Sequence, residues 1–238
     1  EVAAAGQNGG KWTSVWADRV DDDNAVYFLA GRSTFFNSAK LVQCELGDSE
    51  DCDLISLTDD NWPSSTPVDV DGTIVDGTLA GLAVASNLAG GGGAVFSPAA
   101  GGGLNSEVFD EAPTVSRTLH EPDGTLWVAG QGGLLAVRQD GQWSQVDLDV
   151  DAPQTLTLSG LTTAAGHLVI AGYRSTDGAT EAIILSTPLV SGATWSEISL
   201  GVDCVALDVH GVADGLYVGG SCGDGVAAKA MSWFMPLF

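Results

Sequence analysis

Cations are scarce in this sequence. Lys and Arg number 8 against 31 Asp and Glu, a formal net charge of −23. Phosphate backbones are gripped by Lys and Arg, so the shortage excludes nucleic-acid binding. Docking on an anionic membrane surface is disfavoured for the same reason. A sustained helical period is also missing, so almost no helix is expected. The catalytic signatures G-x-S-x-G, the Walker loop and H-E-x-x-H do not occur. There is no C-x-x-C pair, which removes the common zinc frameworks. The chain starts at Glu1 and shows no basic region followed by an apolar one, so it reads as a mature or trimmed product. One uncharged stretch, Gly77 to Ser106, is long enough to suggest a membrane span. Its nine glycines, with Pro98, Asn87 and Asn105, break any spanning helix, so short strands joined by glycine turns are expected.

What the chain does have is apolar residues (45%) and glycine (32 residues), enough to bury a core within one all-β domain of 238 residues. It also has internal repeats. NAVYFLAG (Asn24–Gly31), GTLWVAG (Gly124–Gly130), GHLVIAG (Gly166–Gly172) and GLYVGG (Gly215–Gly220) are each a short apolar run ending in glycine. Their final glycines are separated by 99, 42 and 48 residues. The double gap calls for a divergent copy, and GLAVASNLAG (Gly81–Gly90) lies there. Five copies give a period of roughly 48 residues, near the propeller range.

A second element recurs: a turn, a Trp and a short alternating strand, as in GQWSQVDL (Gly141–Leu148), ATWSEISL (Ala193–Leu200) and, more loosely, DNWPSSTPV (Asp60–Val68). Each repeat then reads as a four-stranded antiparallel meander. Such repeats in series predict an all-β, five-bladed β-propeller. It would be a single domain over residues 1–238, with approximate blades 12–57, 58–110, 111–150, 151–200 and 201–238. A solenoid or sandwich is the competing architecture. The N-terminal GGKWTSV (9–15) either closes the last blade as its outer strand or serves as the first blade's own inner strand. Trp62, Trp143 and Trp195, at blade-repeat positions, are assigned to packing between blades.

The four cysteines suit two disulfides in an oxidising compartment. Cys44 and Cys52 bracket the polar loop ELGDSED, and Cys204 and Cys222 flank a candidate hairpin turning near Ala213. An extracellular, periplasmic or cell-surface location follows.

The segment GTLWVAGQGGLLAVRQDGQWSQVDL (Gly124–Leu148) resembles a blade of bacterial secreted propellers whose repeats are of the BNR/Asp-box or photosystem-assembly-factor type. The resemblance is carried by the W-V-A-G strand end, the following G-G and the G-x-W turn. The full Asp-box order is not met: Ser175–Thr180 is compressed and lacks the Trp. The resemblance implies fold and secretion rather than activity, because one fold hosts many functions.

Loops joining second to third strands supply the candidate ligand residues: Arg32, Phe35, Gln131, Tyr173, Arg174, Asp177 and Asp224. An aromatic beside Arg or Asp suits a sugar or a peptide. No motif demands a cofactor, and calcium is the one candidate, with Asp21, Asp23, Asp147, Asp149 and Asp151 as oxygen ligands lacking an EF-hand pattern. The histidines His120, His167 and His210 fall on different blades, against a shared metal. Glycoside hydrolysis needs converging carboxylates, for which Asp18, Asp69, Asp71, Asp76 and Asp208 are candidates. The tail Met231–Phe238 is expected to be a buried last strand; left exposed, it would dock on a partner. The reading is a non-enzymatic binding or scaffold module for a protein or glycan. Its alternatives are an accessory subunit of a larger envelope or filament assembly, marked by an exposed apolar rim at Phe35, Phe36 or Phe234–Phe238, and a glycoside-directed enzyme.

Overall fold

The computed structural model describes residues 10–33, 38–46, 51–56, 65–89, 91–98, 104–109, 114–190, 192–223 and 227–236. The chain is a five-bladed β-propeller made of antiparallel meander sheets. The first sheet comprises β1 (Gly10–Arg19), β2 (Ala25–Ser33), β3 (Ser38–Leu46) and β4 (Asp51–Ser56). The second comprises β5 (Ser65–Val75), β6 (Thr78–Leu88), β7 (Gly93–Pro98) and β8 (Leu104–Phe109). In the third are β9 (Val115–His120), β10 (Leu126–Gly130), β11 (Leu135–Gln139) and β12 (Gln142–Gln145). A 3-10 turn at Pro153–Thr155 leads into the fourth: β13 (Leu156–Ala164), β14 (His167–Thr176), β15 (Ala179–Pro188) and β16 (Ser196–Val202). The fifth has three strands among the described residues: β17 (Cys204–Val212), β18 (Gly215–Cys222) and β19 (Lys229–Pro236). The N-terminal Trp-led segment takes the second of its two expected roles. It pairs with β2 as the first strand of the first sheet, Trp12 opposite Gly31.

The chain divides into two compact units, Glu1–Val128 with Val137–Ser144, and Ala129–Ala136 with Gln145–Phe238. In the first, Phe28, Leu41, Val70, Val84 and Phe96 form a core shared by the first two sheets. In the second, Val169, Ile184, Ala206, Leu216 and Val218 join the fourth and fifth sheets. Burial of each Val, Leu, Ile or Phe side chain stabilises by about 1.5–3 kcal/mol, so these apolar faces dictate which way each strand turns.

The repeated glycine has a local cause. In the first, fourth and fifth sheets the first strand carries a bulge, between Trp12 and Ser14, Leu158 and Gly160, and Ala206 and Asp208. The residue before each bulge pairs with Gly31, Gly172 or Gly220 on the second strand. A side chain at those glycines would run into the carbonyl of Lys11, Thr157 or Val205. The second sheet has the same bulge, between Pro67 and Asp69, but Ser86 stands opposite Pro67. The divergent copy therefore diverges at the residue that defines the others, and its final Gly90 lies outside the described residues.

The bulges also tie successive sheets together. Thr13 Oγ1 donates to Ala30 O in its own sheet (3.1 Å) and to Pro67 O in the next (2.7 Å). Ser159, at the equivalent place, donates to Ala171 O (3.3 Å) and Ala206 O (2.5 Å). A bulge leaves one residue unpaired in the ladder; here its hydroxyl satisfies carbonyls on two strands.

Both disulfides form between the expected pairs. Cys44 faces Cys52 across β3 and β4, and Cys204 faces Cys222 across β17 and β18, with Cα separations of 4.1 and 4.0 Å. Among the described residues no helix is long and apolar enough to cross a membrane.

The apolar tail differs from the expectation of a buried last strand. Trp233 and Met235 pack into the second unit's core, but Phe234 is 49% and Met231 40% exposed. Strand alternation is the reason: Trp233 and Met235 lie on the face of β19 that meets the core, and Phe234 between them points to the other.

Candidate functional site

A polar cavity lies within the second unit, on the fourth sheet. It is open, with a volume of about 430 Å³, and is lined by Asp149, Val150, Asp151, Arg174, Trp195 and Glu197. Its parts come from two directions. Trp195 immediately precedes β16 and Glu197 is the second residue of that strand; two residues apart, both line the cavity. Asp149 and Asp151 come from the extended link between the third and fourth sheets, also two residues apart.

Arg174 holds these pieces in place. Its Nη1 and Nη2 donate bidentately to Glu197 Oε1 and Oε2 (2.9 and 2.8 Å), and Nη2 reaches Asp151 O (3.4 Å). Glu181 Oε2 lies 3.5 Å from Nη1, and Ser199 Oγ donates to Glu181 Oε1 (2.6 Å). The Glu197 carboxylate hydrogen-bonded to the guanidinium raises its pKa further above the ordinary arginine value. The planar fork of Arg matches a carboxylate with two parallel bonds, which is why it fixes geometry as well as charge. Arg174, a candidate ligand contact, lines the cavity and its guanidinium braces the wall.

The other candidate ligand residues do not converge here. Arg32 Nη1 donates to Thr66 Oγ1 in the second sheet (3.3 Å). Gln131 makes a backbone bridge to Thr157. Tyr173 is half-buried on β14, opposite Thr157 and Ala182. Asp177 occupies the left-handed position (φ 50°) of the β14–β15 turn. Phe35 and Asp224 lie outside the described residues.

The metal candidates separate in the same way. Asp21 Oδ1 accepts the backbone N–H groups of Asp23 and Asn24 (2.9 and 2.8 Å), closing a turn in which Asp23 is exposed. Those bonds, with the Asn24 side chain first, hold the Asp21 carboxyl below its usual range. Asp147 is exposed; Asp149 and Asp151 reach the cavity. Among the described residues no three His, Cys, Asp or Glu side chains are grouped as a metal site. His120, His167 and His210 lie on the third, fourth and fifth sheets.

The carboxylates considered for acid–base chemistry have structural partners. Asp69 Oδ1 accepts from Ser14 Oγ (2.9 Å) and Oδ2 from the Thr118 N–H (2.9 Å), with Arg117 3.9 Å away. Asp71 Oδ2 accepts the His120 N–H (2.6 Å). Both therefore join β5 to β9, as Ser14 joins β1 to β5. Burial, aided by the neighbouring charges of Asp69 and Glu121, pushes the Asp71 carboxyl up to about 7. Asp18 caps its neighbour's N–H, Asp76 takes a left-handed turn position (φ 49°), and Asp208 accepts the Val209 N–H.

Sequence reasoning missed Trp195 and Glu197 as site residues. Trp195 was assigned to packing, a role Trp143 does fill. The Trp143 ring meets Phe109 edge-on at 5.0 Å, with Arg138 at 5.8 Å over its ring. The spacing of Trp and Glu in ATWSEISL was the available signal, because residues two apart along extended chain face the same side.

No family model matches the chain, and no curated protein matches it in sequence. Solved structures do match in fold. The chain is similar to a Dyadobacter fermentans protein of unknown function, with a TM-score of 0.62 and 12% identity over 97% of this chain and 80% of that one. It is also similar to an exo-β-1,3-galactanase from Phanerochaete chrysosporium seen with β-1,3-galactotriose, with a TM-score of 0.54, 11% identity and coverage of 92% and 59%. A third is YCF48 bound to a D1 peptide, with a TM-score of 0.50, 11% identity and coverage of 94% and 83%. At these identities the likeness is one of propeller fold, shared by polysaccharide-acting and peptide-bound proteins alike.

Proposed function

We propose that the chain is a non-enzymatic, extracytoplasmic binding module, built of Asp-box-like or assembly-factor-like repeats, that holds a neutral saccharide at the Trp195 cavity. The observation that carries this reading is the company Trp195 keeps. An indole borders an open cavity with Asp149, Asp151 and Glu197, while Arg174 is already committed to Glu197. An indole face covers the C–H face of a pyranose. Carboxylates beside it accept hydrogen bonds from sugar hydroxyls, and such charge-assisted bonds are short and directional. A net charge of −23 repels acidic polysaccharides, which narrows the ligand to an uncharged glycan. The galactanase seen with β-1,3-galactotriose is similar in fold. The two disulfides support an oxidising compartment.

The test is a glycan array probed with calcium and again with chelator. Saturable binding to neutral glycans, lost in Trp195→Ala, is expected; loss on chelation would place calcium with Asp149 and Asp151. A clean negative on neutral glycans overturns the reading. Binding without covalent chemistry is favoured because Asp69 and Asp71 spend their oxygens on β9 and on Ser14. Release of reducing sugar from a neutral polysaccharide, abolished in Asp71→Asn, would reverse that choice. The assembly-subunit reading has its own support in the exposed Phe234 and Met231.

A further inference from the structure

The fifth sheet ends differently from the others. The first four sheets each have four strands, whereas β19 is the outermost strand of a three-stranded sheet among the described residues. Edge strands are normally guarded by charges or prolines, because their unpaired N–H and C=O groups invite another strand. On β19 the guards stand only at the ends, Lys229 and Pro236. Ala230–Met235 (AMSWFM) carries no charge in a chain with 31 acidic residues. On the open face beside this edge, the Phe234 and Tyr217 rings sit 5.0 Å apart and are 49% and 53% exposed.

We infer that β19 is a self-association edge, on which a second copy of this chain adds its own β19 in antiparallel sense to make one continuous sheet across two molecules. Charge argues for this occupant. Pro236 pairs with Gly215, next to the exposed Asp214 of the β17–β18 turn, while Lys229 pairs with Cys222 at the opposite end of the sheet. Antiparallel union of two β19 strands brings the Lys229 end of each copy to the Asp214 end of the other. That match occurs twice by the two-fold symmetry. The uncharged centre faces itself, so no two carboxylates oppose across the seam. The same symmetry places both Tyr217–Phe234 ring pairs on one face of the joined sheet. The inference involves no residue of the Trp195 cavity, and its test contains no sugar.

The experiment is sedimentation equilibrium of the 238-residue chain over a range of concentrations, with near-UV circular dichroism to show that each variant is folded. A reversible dimer in the micromolar range is expected for so narrow a seam. Phe234→Lys should weaken it on the order of tenfold. Lys229→Asp and Asp214→Lys should each weaken it, and the two together should restore it. This pattern separates a docked edge from general repulsion between acidic bodies, since both Phe234→Lys and Asp214→Lys reduce the net negative charge and would then strengthen association. A monomer at every concentration overturns the inference. So does a dimer indifferent to these variants, or one strengthened by Phe234→Lys or Asp214→Lys.

Discussion

Asp71 shows how a residue's role depends on what surrounds it. On the sequence it is one acidic side chain among many and a candidate catalytic carboxylate. In the fold it is largely buried on β5, accepts the His120 N–H, and has Asp69 and Glu121 as charged neighbours. Its pKa rises from 3.8 to about 7. The sign of the consequence follows from proton binding. Below pH 3.8 both folded and unfolded chains hold the proton and the group is neutral to stability. Between 3.8 and about 7 only the folded chain holds it, so this group's contribution falls as pH rises and levels off above 7. Asn keeps the acceptor and carries no charge. Asp71→Asn is therefore expected to be more stable than the parent at pH 8, by about 1–3 kcal/mol, with the gap closing towards pH 4. Urea unfolding at both pH values measures it. Equal stabilities at pH 8 would show that Asp71 is not held protonated by its surroundings.

At the scale of the element, the apolar runs ending in glycine were legible because their cause is local. A bulge on the first strand presses a carbonyl against the second, and only a residue without a Cβ fits at Gly31, Gly172 and Gly220. Gly172→Ala is expected to destabilise by about 1–3 kcal/mol, because Thr157 O is backbone and cannot swing aside. Gly166→Ala, at a solvent-exposed turn, should act through its left-handed φ of 76° alone and cost less. Equal losses in thermal unfolding would refute the bulge account. The disulfides were legible for a related reason, since Cys204 and Cys222 are symmetric about their turn. Replacing that pair by Ala should cost about 3 kcal/mol, and replacing Cys44 and Cys52 somewhat less, because the loops closed span 18 and 8 residues. Chemical denaturation of the two double variants checks the order. The tail was misread at this scale. Its composition is apolar on both faces, and composition says nothing about whether both faces of a strand are covered.

At the scale of the whole molecule, the repeat count was legible and the site was not. Five meander sheets follow from five glycine-ended runs with turns between them. The cavity needs Asp149 and Asp151 from one link and Trp195 and Glu197, at the entry to β16, more than forty residues later. Arg174, from a third place, fixes their geometry. No local pattern reports that meeting. The acidic composition argues against polyanionic partners, and the same charge sets a test of the ligand's nature. A neutral saccharide should bind with little dependence on salt, whereas a cationic peptide drawn to the carboxylates should lose affinity steeply as salt rises. The most direct measurement is titration calorimetry of a neutral oligosaccharide, selected on the array, against the parent chain and Trp195→Ala at low and high salt. Saturable binding that is insensitive to salt and weakened at least about tenfold by Trp195→Ala is the predicted result. Binding that survives the substitution unchanged, or no binding of any neutral glycan, would contradict it.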